Sequence, residues 1–374
     1  MRILYGVVGE GMGHAIRSRV VLDELVKQHD VQVVVSGRAH EYLAKRAAEL
    51  HQRDAGKEHL HVKKIWGLTI VTEDNEVRNF RTLFANLKGA VRGGWPKNIK
   101  AYFDLADSFE PEVVISDFET WSYLYAVNHG LPVISVDNMQ IINRCTHEKQ
   151  ITRGHEASFQ IAKAIVKAKV PAAYHYLIST FFRPPVRKPR TSLHPPILRP
   201  EILAAKSEPG EHLLVYQTYT TNKELPELLK KAGIECRIYG LKRDLKADER
   251  DGNLLYRPFS EAGFVDDLRT ARGVIASAGF TLMGEAVYLR KPVLAEPVAR
   301  QFEQILNARY LQELGYGLHT EEIDEEALSE FLQRIPEYQR GLASYSQDGN
   351  KSLIEKLEER LHAAARGDAP GDPD

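Results

Sequence analysis

The chain alternates short apolar runs with segments of helical spacing, and it does so twice. "RILYGVV" reads as a strand, "HAIRSRVVLDELVKQ" as a helix and "VQVVVSG" as a second strand. "EVVISDF", "PVISVDN" and "AAYHYLIST" follow as further buried strands with helices between them. Strands that are apolar throughout, separated by helices, indicate a parallel sheet covered on both faces. "RPPVRKPRTSLHPPILRP" then breaks the pattern with Pro184, Pro185, Pro189, Pro195, Pro196 and Pro200. Proline at that density cannot continue a helix or a central strand, so the stretch reads as an extended connector. Beyond it the alternation restarts. "HLLVYQTY", "IECRIYG", "NLLYRPF", "GVIASAG" and "KPVLAEPV" read as strands, and "ELPELLKKAG", "FVDDLRTAR", "FTLMGEAVYL" and "FEQILNARYLQELG" as helices. The fold class is therefore α/β, with two Rossmann-like, doubly wound domains in tandem. The expected division is residues 1–195, residues 196–350, a terminal helix over 351–365 and a disordered tail over 366–374.

A chain of 374 residues exceeds one ordinary core, which agrees with two domains. A formal net charge of −1 gives no global field favouring nucleic acid. Cys145 and Cys236, the two cysteines, are no disulfide framework and no metal cluster. Two reduced thiols and no signal peptide fit a cytoplasmic protein. Without an apolar stretch of about 18 residues, membrane contact is expected only at the surface, peripherally.

Behind the first strand stands "YGVVGEGMGHAIRS", with Gly9, Gly11, Gly13, His14 and Arg17. Glycines let a backbone approach an anion, and a helix N-terminus offers it free N–H groups. A dinucleotide site fits poorly. A histidine occupies the third glycine position, and the second strand ends in "SGR" with no acid for a ribose, although Arg38 would suit a 2′-phosphate. A plain tight turn is the bland alternative. The histidine is distinctive, because the helix dipole disfavours its protonated form and a neutral imidazole can act as a general base. Asp117, at the carboxyl end of "VVISD", is the candidate to orient it; the alternative is that Asp117 caps the helix opening at "DFETW".

The second half carries "ASAGFTLMGEAVYLRKPVLAEPVARQFEQILNARYLQELGYG". A strand ends at Gly279 and a helix begins near Phe280 or Thr281, a second terminus suited to a diphosphate. Glu285 lies less than two turns into that helix, where a carboxylate could grip a ribose diol. The next loop carries Arg300, Gln301, Glu303 and Gln304, groups suited to sugar hydroxyls.

These segments resemble the glycosyltransferases of the two-Rossmann-domain (GT-B) type. They are similar to the inverting, metal-independent groups, which include the UDP-glycosyltransferases of natural-product metabolism. The transferase that adds N-acetylglucosamine to the lipid-linked peptidoglycan precursor is also among them. "GEGMGHAIRS" is similar to the family's first loop, and "SAGFTLMGEA" to its donor motif, with Ala278 replacing the usual first glycine. "QFEQILNA" resembles its acidic-Gln-x-x-Asn-Ala motif. The resemblance implies that 1–195 binds the acceptor and 196–350 a nucleoside-diphosphate sugar of UDP or dTDP type. It implies a base at Phe259 and Phe264 of "RPFSEAGF" and a diphosphate at Gly279, Phe280 and Thr281, with Ser277 also on the donor. Arg17, Gly11 and Gly13 would stand beside the diphosphate. Glu285 would meet the ribose, Glu303 and Gln304 the sugar, and Gln217 and Thr218 also the donor. His14 would be the base and Asp117 its support. No cofactor is implied. No Asp-x-Asp pattern is placed for a metal, since Asp266 and Asp267 read as opening a helix. Partners would be the donor and a small-molecule or lipid-linked acceptor, with no nucleic acid. Arg78, Arg81, Lys88, Arg92, Lys97 and Lys100, interleaved with Phe80, Phe84 and Trp95, would receive an anionic acceptor or form a solvated face. The rivals are a nucleotide-sugar hydrolase or epimerase of the same fold, and a non-catalytic nucleotide-sugar-binding protein.

Overall fold

The computed structural model describes residues 1–9, 11–53, 59–67, 72–73, 76–77, 95–217, 224–242, 244–299 and 301–370. In chain order the strands begin with β1 (Arg2–Val7), β2 (Asp30–Val35) and β3 (Leu60–Lys64). β4 (Thr72–Glu73) and β5 (Glu76–Val77) form a small antiparallel pair by themselves. β6 (Val113–Asp117), β7 (Val133–Asp137), β8 (His175–Ser179) and β9 (Thr191–His194) complete a first sheet ordered β3-β2-β1-β6-β7-β8-β9, parallel throughout. β6, β7 and β8 are buried at every position, as strands covered on both faces must be.

The second sheet is built the same way. It takes β10 (Leu213–Tyr216), β11 (Cys236–Tyr239), β12 (Glu249–Asp251), β13 (Leu254–Tyr256), β14 (Gly273–Ala276), β15 (Val293–Ala295) and β16 (Gly317–His319). Their order is β12-β13-β11-β10-β14-β15-β16, with the edge strand β12 alone antiparallel. In each sheet the first strand has a neighbour on either side reached in opposite directions, β2 and β6 for β1, β11 and β14 for β10. Loops leaving the carboxyl ends at such a reversal diverge and open a crevice, where ligands of these sheets bind.

The proline-dense stretch is more than a connector. Thr191–His194 within it pairs with β8 as the edge strand β9. An edge strand needs hydrogen bonds on one side only, which proline on its flanks permits. Asp266 and Asp267 likewise do not open a helix. Ser260 caps the helix Glu261–Arg269, and Asp267 lies inside it, buried, ion-paired to Arg237 and Arg257 and accepting from the Tyr239 hydroxyl.

The terminal helix runs over Lys351–Ala365. After the second sheet the chain returns to the first. Leu353, Leu357 and Leu361 pack with Ile3, Tyr5, Val113 and Leu177, and Glu358 Oε2 stands 2.9 Å from His29 Nε2. Another core spans both halves, joining Ile142, Phe181 and Phe182 to Phe280, Leu306 and Tyr310. Phe182 stacks on Tyr310 with ring centroids 4.0 Å apart. Both cysteines are buried and free.

Thr218, Arg300, Arg78, Arg81, Lys88, Arg92, Phe80 and Phe84 lie outside the described residues, as do the side chains of Trp95 and Lys97 and the tail residues 371–374. Lys100 is exposed on the helix Trp95–Ser108.

Leu357 is fully buried between the terminal helix and the first sheet. Leu357→Ala is therefore expected to destabilise the protein by about 2–5 kcal/mol. Urea unfolding checks this; an unchanged midpoint would mean that the helix is not docked in solution.

Candidate active site

The helix Met12–Leu25 starts at Gly11, whose φ of 81° lies in the left-handed region that glycine tolerates. His14 is in its first turn, with 18% of its side chain exposed. β6 runs beside β1, pairing Val7 with Asp117, so the Asp117 carboxylate emerges under that turn. Asp117 does not cap the following helix. Glu119 does, accepting from Trp121 N–H at 2.8 Å and Ser122 N–H at 2.6 Å. That leaves Asp117 to the first helix.

Asp117 is fully buried. Its Oδ1 stands 2.9 Å from His14 Nδ1 and accepts from Arg17 Nη2 at 2.5 Å. Its Oδ2 accepts from Arg17 Nε at 3.1 Å and from the Ser18 hydroxyl at 2.9 Å. Burial opposes its ionisation, but Arg17 and then His14 outweigh burial and hold the carboxyl well below the usual range. Arg17 Nη2 also lies 2.5 Å from His14 Nδ1. A bare Nδ1 would set its lone pair against the ionised Asp117 Oδ1 at 2.9 Å, whereas the Arg17 guanidinium already has Asp117 and Asn138 as acceptors. We therefore assign the Nδ1 proton to the carboxylate as well. That tautomer puts the lone pair on Nε2, which has no hydrogen-bond partner among the described residues. Burial first, and then the Arg17 charge, push His14 below its ordinary pKa, while Asp117 pulls the other way.

Arg17 is itself buried, and all three of its nitrogens are engaged. Nε and Nη2 hold Asp117, and Nη1 donates to Asn138 Oδ1. These bonds hold Arg17 against Asp117 and Asn138.

The helix Phe280–Tyr288 comes from the other sheet and starts at Gly279, beside Gly13. A Cβ on Gly13 would lie 2.7 Å from Thr281 Oγ1, so this first-turn glycine lets the two helix starts meet. Around Gly279 there is open space. Glu303 Oε1 accepts from Asn138 Nδ2 and Asn307 Nδ2, both at 2.9 Å. Burial raises its pKa against the Asn307 and Asn138 bonds and the Arg17 charge. Gln304 Oε1 accepts from Val298 N–H at 2.9 Å and so fixes the loop before it.

Further out, Glu285 accepts from Arg199 Nε at 2.7 Å and Nη2 at 2.9 Å, both side chains being almost fully buried. An arginine, a residue the sequence did not single out, faces the carboxylate expected at the ribose. Gln217 is buried, donating to Glu296 Oε2 at 3.2 Å and accepting from the Ser277 hydroxyl at 3.0 Å. Phe264 is core, packed on Tyr216 and Tyr239. Phe259 is 67% exposed, free to stack on a base.

Ala278 explains a glycine. Its φ is 59°, and its carbonyl accepts from Asn307 Nδ2 at 3.1 Å. The residues missed in the sequence are Asn138, Asn307, Arg199, Glu296 and Asp137. Asp137 accepts from the Ser135 hydroxyl at 2.7 Å and Gln140 N–H at 2.8 Å, and burial raises it to about 6. The signal available for Asp137 and Asn138 was a polar pair closing the buried strand "PVISVDN". Among the described residues no three His, Cys, Asp or Glu side chains gather as they would around a metal.

Residues 1–336 match the family described as glycosyl transferase family 1. An uncharacterized glycosyltransferase of Methanosarcina mazei is 24% identical over 356 residues, covering 85% of this chain and 85% of the relative. Another, from Methanosarcina acetivorans, is 22% identical over 339 residues with the same coverage, 85% of each. Among solved structures, Os79 from O. sativa in complex with UDP gives a TM-score of 0.66 at 13% identity, over 96% of this chain and 100% of that one. The glycotransferase of kitacinnamycin gives 0.61 at 15% identity, over 96% and 98%. MurG of Acinetobacter baumannii gives 0.57 at 14% identity, over 96% and 99%. At such identities the likeness is one of fold, the GT-B pair of Rossmann-like sheets.

Two outcomes are expected. His14 should titrate below 6.5 by NMR, and lower still in Asp117→Asn, which removes the one neighbour that raises it; a value above 6.5 would contradict the geometry. Ala278→Gly should stabilise the fold by about 0.5–1 kcal/mol, since a left-handed backbone costs alanine more than glycine. Thermal unfolding reads that difference.

Proposed function

The chain belongs to glycosyl transferase family 1, and from that premise we propose a specific reaction. A sugar moves from a UDP- or dTDP-type nucleoside diphosphate to an acceptor hydroxyl, with inversion. The observation that carries this reading is the His14–Asp117 pair at 2.9 Å, set at one helix start and facing a second. His14 Nε2 takes the acceptor proton as the oxygen attacks the anomeric carbon. The bond to the diphosphate breaks on the opposite face. Asp117 fixes the tautomer and supports the imidazolium that forms.

Charge on the leaving diphosphate is met by the helix start at Gly279, Phe280 and Thr281. Glu303 and Gln304, in the first turn of the neighbouring helix Phe302–Glu313, meet the sugar. The exposed Phe259 offers a stacking face to the base. UDP bound to Os79 supports the donor type. In this reading residues 196–350 hold the donor and residues 1–195 the acceptor. The acceptor in this reading is a small molecule or a lipid-linked hydroxyl compound. Among the described residues no helix is long and apolar enough to cross a membrane.

His14→Ala is expected to lower turnover about 10²–10⁴-fold while leaving UDP affinity by calorimetry unchanged. Product analysis with UDP- and dTDP-linked sugars completes the test. Sugar appearing on an acceptor supports transfer, whereas free sugar alone, or a fully active His14→Ala, would overturn it.

A further inference from the structure

Asn138 follows β7 directly and is 4% exposed. It is the side chain that joins the His14 cluster to the second sheet. Its Oδ1 accepts from Arg17 Nη1, and its Nδ2 donates to Glu303 Oε1 at 2.9 Å. An amide has one accepting and one donating end, and here each end meets the group that needs it. Reversed, it would set NH₂ against a guanidinium and oxygen against a carboxylate. The neighbours therefore fix its orientation.

The bonds continue on both sides. Arg17 holds both oxygens of Asp117, which holds His14. Glu303 Oε1 also accepts from Asn307, which donates to the carbonyl of Ala278. Ala278 immediately precedes Gly279, the start of the Phe280–Tyr288 helix. One amide thus lies between the residues that hold the base and those that shape the donor terminus. Moving the two sheets apart breaks the Asn138–Glu303 bond, because its ends belong to different halves.

We propose that Asn138 is a positioning residue that ties the alignment of His14, through Arg17 and Asp117, to the seating of the second sheet against the first. The base is then held in register when the donor side is closed on it and loosened when the halves part. This rests on His14 acting as the base of a transferase. Removing the amide should lower turnover without weakening nucleotide binding, since Asn138 reaches Glu303 and not the open space at Gly279.

Four variants test it: Asn138→Leu, Asn138→Asp, Glu303→Gln, and Asn138→Asp combined with Glu303→Gln. Leucine keeps the volume and loses both bonds. Aspartate keeps an acceptor for Arg17 but sets a carboxylate against Glu303. In the double variant the introduced glutamine amide can donate to the introduced carboxylate, rebuilding the bridge with its polarity reversed across the interface.

Turnover is measured with whichever UDP- or dTDP-linked sugar the wild type uses, UDP affinity by calorimetry, and the His14 titration by NMR. Asn138→Leu should lose about 10- to 100-fold in kcat, the worth of a charged hydrogen bond, with UDP affinity kept and the His14 titration displaced. Asn138→Asp should lose activity further as pH rises and the second carboxylate ionises. The double variant should return to the level of Glu303→Gln alone, so the two losses do not add.

Wild-type kcat and an unmoved His14 titration in Asn138→Leu would overturn the proposal, and so would simple additivity in the double variant. If leucine prevents folding, the aspartate pair still decides. Asn138 variants of wild-type turnover beside an inactive His14→Ala would sink this bridge and leave the transferase reading standing. An active His14→Ala would sink that reading instead, while a displaced His14 titration in Asn138→Leu would still report the bridge.

Discussion

A carboxylate that is taken out of water stays ionised only where donors and positive charge replace the water. Asp117 is buried completely and meets that condition through Arg17, His14 and Ser18. All three donors come from one helix, at positions 14, 17 and 18, so a single turn-and-a-half of the Met12–Leu25 segment saturates the acid. The register of β6 beside β1 then follows from the same demand. A one-residue slip would turn the carboxylate to the other face of the sheet and strand the arginine.

The second half meets this cluster through small residues and paired charges. Gly13 allows Thr281 to approach, and the open space around Gly279 leaves its helix start accessible. Glu303 and Asn138 join the two sheets across the crevice, while Arg199 draws Glu285 into a bidentate pair. Arg19 on the first helix bonds Glu261 on the second half, which Arg199 also holds. Away from the crevice the halves share an apolar core with stacked Phe182 and Tyr310, and Arg309 donates to the carbonyls of Ile151 and Arg153.

Much of this was legible from residue order. Two runs of alternating strand and helix, each with glycines behind a buried strand, announce two parallel sheets with helix starts at their carboxyl edges. His14 and Asp117 could be paired from sequence, because a basic group in a first helical turn and an acid at a neighbouring strand end converge in such a sheet. Asn138 and Arg199 could not. Asn138 closes a strand like many others, and Arg199 sits in a proline-dense stretch whose side-chain partners lie 62 and 86 residues onward. The edge strand β9 was hidden for a related reason, since proline rules out a central strand but says nothing of an edge.

What the sequence by itself determined is what repeats locally: the periodicity that makes strands and helices, the glycines that open two helix starts, and the chemical types placed at strand ends. Those follow from short-range sterics and from side chains within a few residues of one another. The tertiary structure alone decided which polar group meets which. It gave Arg17 to Asp117, Arg199 to Glu285, Asn138 to both Arg17 and Glu303, and the terminal helix to the first sheet. Such pairings depend on how two sheets seat against each other. That seating is set by the summed burial of distant apolar residues and the need to satisfy every buried charge, which no local pattern encodes.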